Sequence, residues 1–128
     1  MSVLWITTRE ADSAPPEAEI LRVTSLTGAM RTVQPARLAD LRAAAGAFLD
    51  EHSTGCIILD AVDVLVLHNG VERVVRAIEA IHDDVATRGG QLVVCVNAVG
   101  VSPRLLAWLD RELDTSLDLT ALTAAPRA

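Results

Sequence analysis

Apolar residues in this chain fall into two kinds of stretch. Short unbroken runs occur at Val3-Leu4-Trp5-Ile6-Thr7, Ile20 to Ser25, Cys56-Ile57-Ile58-Leu59 and Leu92-Val93-Val94-Cys95-Val96. They are rich in strand formers and bounded by turn residues, so each predicts a β-strand. Longer stretches between them repeat at helical spacing. From about residue 36 to 52, Leu38, Leu41, Ala45, Phe48 and Leu49 lie on one face, with Arg37, Asp40, Arg42, Asp50 and Glu51 largely elsewhere. Pro35 suits the first turn of that helix and Gly55 its stop. Val71, Val74, Val75, Ile78, Ile81 and Val85 mark a second helix that runs to Arg88 and ends at Gly89-Gly90. Ser102-Pro103 starts a third, with Ser as N-cap and Leu105, Leu106, Leu109 and Leu113 as its apolar face.

This alternation predicts a three-layer α/β/α domain. Its sheet of four to five strands is mostly parallel, with right-handed crossovers and helices on both faces. One domain spanning residues 1–128 is expected, with a short edge strand after Leu117 and a frayed tail over 120–128. The stretch from Thr54 to Gly70 organises the rest. An apolar run without alternation, Cys56 to Leu59, is typical of a central parallel strand buried on both faces. Asp60 closes it, a short apolar turn or helix follows, and His68-Asn69-Gly70 forms a break.

Composition narrows the chemistry. The chain has 128 residues, 51% of them hydrophobic, which suits one self-sufficient core. The formal net charge is −6 and all 11 basic residues are Arg. These arginines are scattered along the sequence, and aromatics are few. Nucleic-acid binding needs a concentrated basic face, so it is not expected. Without any Lys there is no phosphate-loop Lys, no Schiff-base Lys and no Lys partner for a phospho-aspartate. Cys56 and Cys95 sit inside apolar runs and read as buried free thiols of a reducing compartment. No secretion signal or apolar run of membrane-spanning length is visible, so a cytoplasmic location is expected.

The C-terminal edge of a parallel sheet is where open α/β folds place ligands. Thr7, Thr8, Arg9, Asp60, Asp63, Asn97 and Ser25 are the candidates there. Ile57-Ile58-Leu59-Asp60 matches the loose form of a magnesium-binding strand. The segment after the first strand, however, contains neither Gly nor Lys to cradle a phosphate. On that reading Asp60 caps the short helix behind it. A phosphate-accepting Asp would need a Lys that the chain lacks. His52, His68 and His82 show no paired metal-ligand spacing. No Gly-x-Ser-x-Gly elbow exists, and neither Cys has a neighbouring feature that would lower its pKa.

Asp60, Leu65, Asn69-Gly70 and Glu72, followed by the helix to Arg88, Gly90 to Asn97 and Leu105 to Glu112, resemble the signature of a prokaryotic family, domain of unknown function 835. Trp5, Thr8-Arg9 and the Pro35-initiated helix also fit. Ala61, Asp63, Val64 and Val71 depart from it, standing where the family has Gly, Glu, Tyr and Phe. The resemblance implies a degenerate RecA-like or Rossmann-like core without a phosphate loop. It carries no established reaction, and it implies association with sensory and kinase modules. Val23 to Gly28, the helix to Phe48, Ile57 to Asp60 and Gly89 to Val94 are also similar to sulfate-transporter and anti-sigma-antagonist domains. The phosphorylated Ser of those domains has no counterpart in Leu67-His68-Asn69-Gly70.

The sequence therefore points to a non-catalytic signalling or protein-interaction domain. Its expected recognition surface comprises Arg9, Asp60, Asp63, His68, Asn69, Gly70 and Asn97. No catalytic, cofactor-binding or metal-binding residue is assigned. The expected partner is another protein, with a second copy as a further candidate through an edge strand or the stripe around Trp108. Two alternatives stand beside this reading: a nucleotide- or small-ligand-binding protein, an ATPase relic, using the sheet edge around Asp60, and an anti-sigma-antagonist-like regulator.

Overall fold

A computed structural model describes residues 1–9, 17–26, 31–97 and 100–113. Residues 1–97 and 98–128 form two compact units, each treated by itself. The first contains β1 (Val3–Thr7), β2 (Glu19–Val23), β3 (Thr32–Val33), α1 (Leu38–Glu51), β4 (Cys56–Asp60), α2 (Val62–Asn69), α3 (Val71–Arg88) and β5 (Gln91–Val94). The second contains α4 (Pro103–Glu112). The edge strand and frayed tail expected after Leu117 lie outside the described residues.

All five strands are parallel, in the order β3-β2-β1-β4-β5. The expected α/β class and parallel sheet are what the chain forms. The two-residue β3 is too short to show as a strand pattern in the sequence. It pairs in register with Arg22 and Val23 of β2.

The order of strands dictates where the helices go. The β3-to-β4 and β4-to-β5 crossovers step the same way along the sheet. Right-handed connections therefore place α1 and α3 on one face, side by side and parallel, and the two helices do pack on each other. The sheet positions that point one way are Leu4, Ile6, Leu21, Val23, Ile57 and Leu59, all at most 3% exposed. Helix positions Leu41, Ala45, Phe48, Leu49, Val74, Ile78, Ile81 and Val85 are buried to the same degree. This is the core. On the opposite face Trp5 and Ile58 are only half-buried and Val93 is 44% exposed. Burial of the central strand on both faces, as its unbroken apolar run predicts, thus holds only in part.

Two local expectations are corrected. Pro35 lies in a buried turn before α1 rather than in its first helical turn, and Arg37 is the N-cap. Gly55 is not the helix stop, since α1 closes at His52. Its backbone instead meets that of Gly90: a Cβ on Gly90 would stand 2.6 Å from the Gly55 carbonyl oxygen. Gln91 N–H donates to that same oxygen at 3.0 Å, so β4 and β5 start as a tightly apposed pair. Gly89, at φ 73°, is the left-handed cap of α3. In the second unit, Pro103 opens α4, while the N-cap Ser102 makes no side-chain cap bond. Leu105 and Leu109, one turn apart on α4, are buried, and Trp108 is half-buried.

The His-Asn-Gly break is a helix-to-helix joint. Gly70, at φ 84°, ends α2 and opens α3, a backbone geometry that favours Gly. The Asn69 amide nitrogen donates to the Pro35 and Leu65 carbonyls, each at 2.8 Å. It ties the joint to the turn that precedes α1. Its loss would leave the Pro35 carbonyl without that donor in a half-buried site. Asn69→Ala is expected to cost about 1–3 kcal/mol in urea unfolding, by the usual penalty for orphaned buried polar groups. A change under about 0.3 kcal/mol would show that the tie does not matter.

Candidate functional site

Strand order also fixes a switch point. From β1 the chain steps one way, to β2 and then β3. It returns across the sheet through α1 to β4, on the other side of β1. The crevice between the C-terminal ends of β1 and β4 is where an open α/β sheet offers a ligand site. Thr7 and Asp60 end those two strands and are register partners.

Thr7 is the single buried polar residue among the described core, at 3% exposure. Its hydroxyl accepts a hydrogen bond from the Arg9 backbone N–H at 3.1 Å. This side-chain turn directs the chain away from β1 and presents an exposed Arg9. On the other side of Thr7, Arg22 of β2 is its register partner. The Arg22 Nε atom is buried and has no hydrogen-bond partner among the described residues. Past β5, the Cys95 N–H donates to the Leu59 carbonyl at 2.8 Å and extends the pairing by one step. Register partners in a sheet point to the same face. Arg22, Thr7, Asp60 and Cys95 therefore form one row across four strands.

Electrostatics agrees with this placement. Burial pushes the Cys95 thiol above its ordinary value, nearby Asp60 pushes it further, and Arg9 opposes them. Asp60 and Arg9 thus both reach the Cys95 thiol. Cys56, buried at the start of β4, is raised by burial alone. Both cysteines are free, as the sequence predicts, but only Cys56 is buried, while Cys95 is half-buried.

The seven predicted surface residues separate. Arg9 and Asp60 both lie near the switch point, where each acts on the Cys95 thiol. Asp60 is the last residue of β4, and the N-cap of α2 is Ala61 with no side-chain cap bond, so Asp60 does not cap that helix. Asp63 and His68 are exposed in the first and last turns of α2, with Leu67 beside His68 at 81% exposure. Asn69 and Gly70 belong to the joint between α2 and α3, and Asn69 points inward to Pro35. Asn97 is exposed, three residues beyond β5. Reading the sequence missed Arg22 and Cys95. Each sits inside an apolar run and joins the site only through strand register.

The sequence profile of a family described as Protein of unknown function (DUF835) matches residues 1–113. The chain belongs to that family. The match covers β1 through α4, and so includes the whole switch-point row. Comparison with curated proteins and with solved structures gives no match.

Two other features lie away from the switch-point row. A hollow of about 360 Å³ is not at Asp60. It lies beside β2 and β3, lined by Thr24, Ser25, Arg31, Arg37 and Asp40 among others. At the opposite edge of the sheet, ligand atoms of Glu19, Glu51 and His52 lie within 4.8 Å of one another. The carboxylates of that group are exposed, and exposed acidic groups commonly cluster without an ion. Among the described residues, no helix is long and apolar enough to cross a membrane.

The row makes a direct prediction about Cys95. Asp60→Asn removes a charge that disfavours the thiolate, so the pH at which Cys95 reacts with a disulfide reagent is expected to fall. Arg9→Gln is expected to raise it. Identical profiles for both variants and the parent would place Cys95 outside the reach of both charges. Stability carries a second signature. Raised thiol pKa values mean that the folded state holds these protons longer than the unfolded chain does. The associated stability is present below the ordinary thiol value of 9.0 and is lost as pH rises above it. Cys56→Ala combined with Cys95→Ala is expected to flatten the alkaline limb of a stability–pH curve.

Proposed function

We propose that this chain is a non-catalytic interaction module of a signalling system, recognising a protein partner at the switch-point edge. One observation carries the reading: a charged row of fixed geometry, Arg22, Thr7 and Asp60 with Arg9 beside it, at the sheet edge that α/β folds use for recognition. Opposite charges on separate strands suit a polar partner group and give orientation more than affinity. The neighbouring thiol is held toward its protonated form, which is the poor nucleophile. The absence of Lys from the sequence removes the phosphate-loop cation. The family resemblance, with its association to sensory and kinase modules, supports a signalling context.

A second reading rests on the switch point itself, which in other α/β folds holds nucleotides or small ligands. Thermal-shift measurements with ATP and GTP, with and without magnesium, separate the two. A ligand at 100 times its Kd would stabilise the chain by about 2.7 kcal/mol. The expected outcome is no shift. A nucleotide-dependent shift abolished by Asp60→Ala would replace the interaction reading with a ligand-binding one.

A further inference from the structure

The fold gathers three of the scattered arginines. Arg42 of α1 and Arg73 and Arg76 of α3 line one groove of about 260 Å³ between the two parallel helices. Leu38, Ala39, Ala77 and Ala80 complete it. All three arginines are exposed. Among the described residues the ion pairs engage Arg37, Arg88, Arg111 and His52, and none engages Arg42, Arg73 or Arg76. Glu72 and Glu79 stand at favourable helical spacings from Arg76, yet neither pairs with it. This is a cationic patch on a chain of net charge −6.

Helix electrostatics does not explain it. The positive ends of α1 and α3 lie at the same end of the layer, because both helices run against the strands. Arg73 is in the first turn of α3, and Arg42 and Arg76 follow in the second turns. Cations are disfavoured near a helix N-terminus, by about 0.3–1 kcal/mol in the first turn. Meanwhile α1 has no basic residue in its last turn, where one would stabilise it. Neither α1 nor α3 has a side-chain cap bond at its start. Asp40, Glu72 and Arg88 follow the dipole rule, so Arg73 in the first turn of α3 is the exception, and a residue that breaks a local rule marks a site kept for another purpose.

We infer that the α1–α3 groove docks an acidic, amphipathic segment of a partner protein. Arg73 and Arg76 are one helical turn apart, roughly 5–6 Å between Cβ atoms, which matches carboxylates at i and i+3 or i+4 of a partner helix. Arg42 stands across the groove on the neighbouring helix. The floor decides between occupants. A free phosphate would use the guanidinium groups and leave Leu38, Ala39, Ala77 and Ala80 bare. A segment with apolar residues beside its acids covers both. Three small alanines let a partner backbone approach closely. The surface is distinct from the switch-point row and does not depend on it.

The test uses the full chain and a fluorescent 16-residue helical peptide of Leu and Ala with glutamates at i, i+3 and i+7, read by anisotropy at low salt. Binding is expected, and it should weaken as salt rises and vanish for the Gln-substituted peptide. Arg42→Gln, Arg73→Gln and Arg76→Gln combined should weaken it about 5- to 30-fold, at partly exposed ion-pair strengths. Ala77→Leu, which fills the floor, should also weaken it. Asp60→Ala should leave it unchanged, which separates failure here from failure of the switch-point reading. Arg73→Gln is expected to unfold at the same or higher temperature than the parent, so lost binding cannot be lost folding. Equal binding of the Gln peptide, or no effect of the triple variant, overturns the inference. Displacement by millimolar inorganic phosphate would identify a simple anion site. Arginine-dependent binding to phosphatidylserine vesicles, in the absence of peptide binding, would identify a membrane surface. Arginine-dependent dimerisation by light scattering would identify a second copy as the occupant. Each of those three results also overturns it.

Discussion

The parallel pairing of β1 with β4 is the constraint on which the rest of this structure depends. It joins segments some fifty residues apart in sequence, from Val3 against Cys56 to Thr7 against Asp60. Leu4, Ile6, Ile57 and Leu59, the least exposed positions of the sheet, lie along it. The same pairing creates the switch point. Had β4 joined the β3 edge, Asp60 would stand far from Thr7 and Arg9, and no row bearing opposite charges would form. A single set of main-chain hydrogen bonds therefore organises both the core and the candidate site.

The second consequence is the layering of the helices. Because both long crossovers run in one direction from β3, α1 and α3 are neighbours rather than covers of opposite faces. Their shared surface is a structural necessity on the inner side and a composed one on the outer side. Inner positions are aliphatic and buried. Outer positions carry Arg42, Arg73 and Arg76 over small residues, with Arg73 set in the first turn of α3 against that helix's dipole. An acidic chain thus carries a local field opposite to its net charge, which is a basis for orienting a partner.

Much of this was legible in the sequence. Unbroken Val/Ile/Leu runs gave four strands, and period-3.6 stripes gave α1, α3 and α4 within two residues of their ends. The family resemblance also reached the right group, because Asp60, Asn69-Gly70 and Glu72 lie at fixed local spacings. What could not be read was everything set by register or by which helices become neighbours. Arg22 and Cys95 join Asp60 only through strand order. Three arginines spaced over 35 positions look scattered until α1 and α3 are placed side by side. Thr32-Val33 is too short to carry a strand pattern, and it pairs only because β2 offers an edge. The sequence places Asn69 on the expected recognition surface, because the partner of its amide, the Pro35 carbonyl, is 34 residues away.

Native-state hydrogen exchange tests the central pairing most directly. If β1 against β4 holds the first unit together, the amides of Leu4 to Ile6 and Ile57 to Leu59 should exchange only by global opening. Their exchange free energies should then equal the unfolding free energy from urea denaturation and fall with denaturant at the same slope. Faster exchange in these two strands than in α3, by a route insensitive to denaturant, would contradict the account. It would move the structural centre from the β1–β4 pair to the helices.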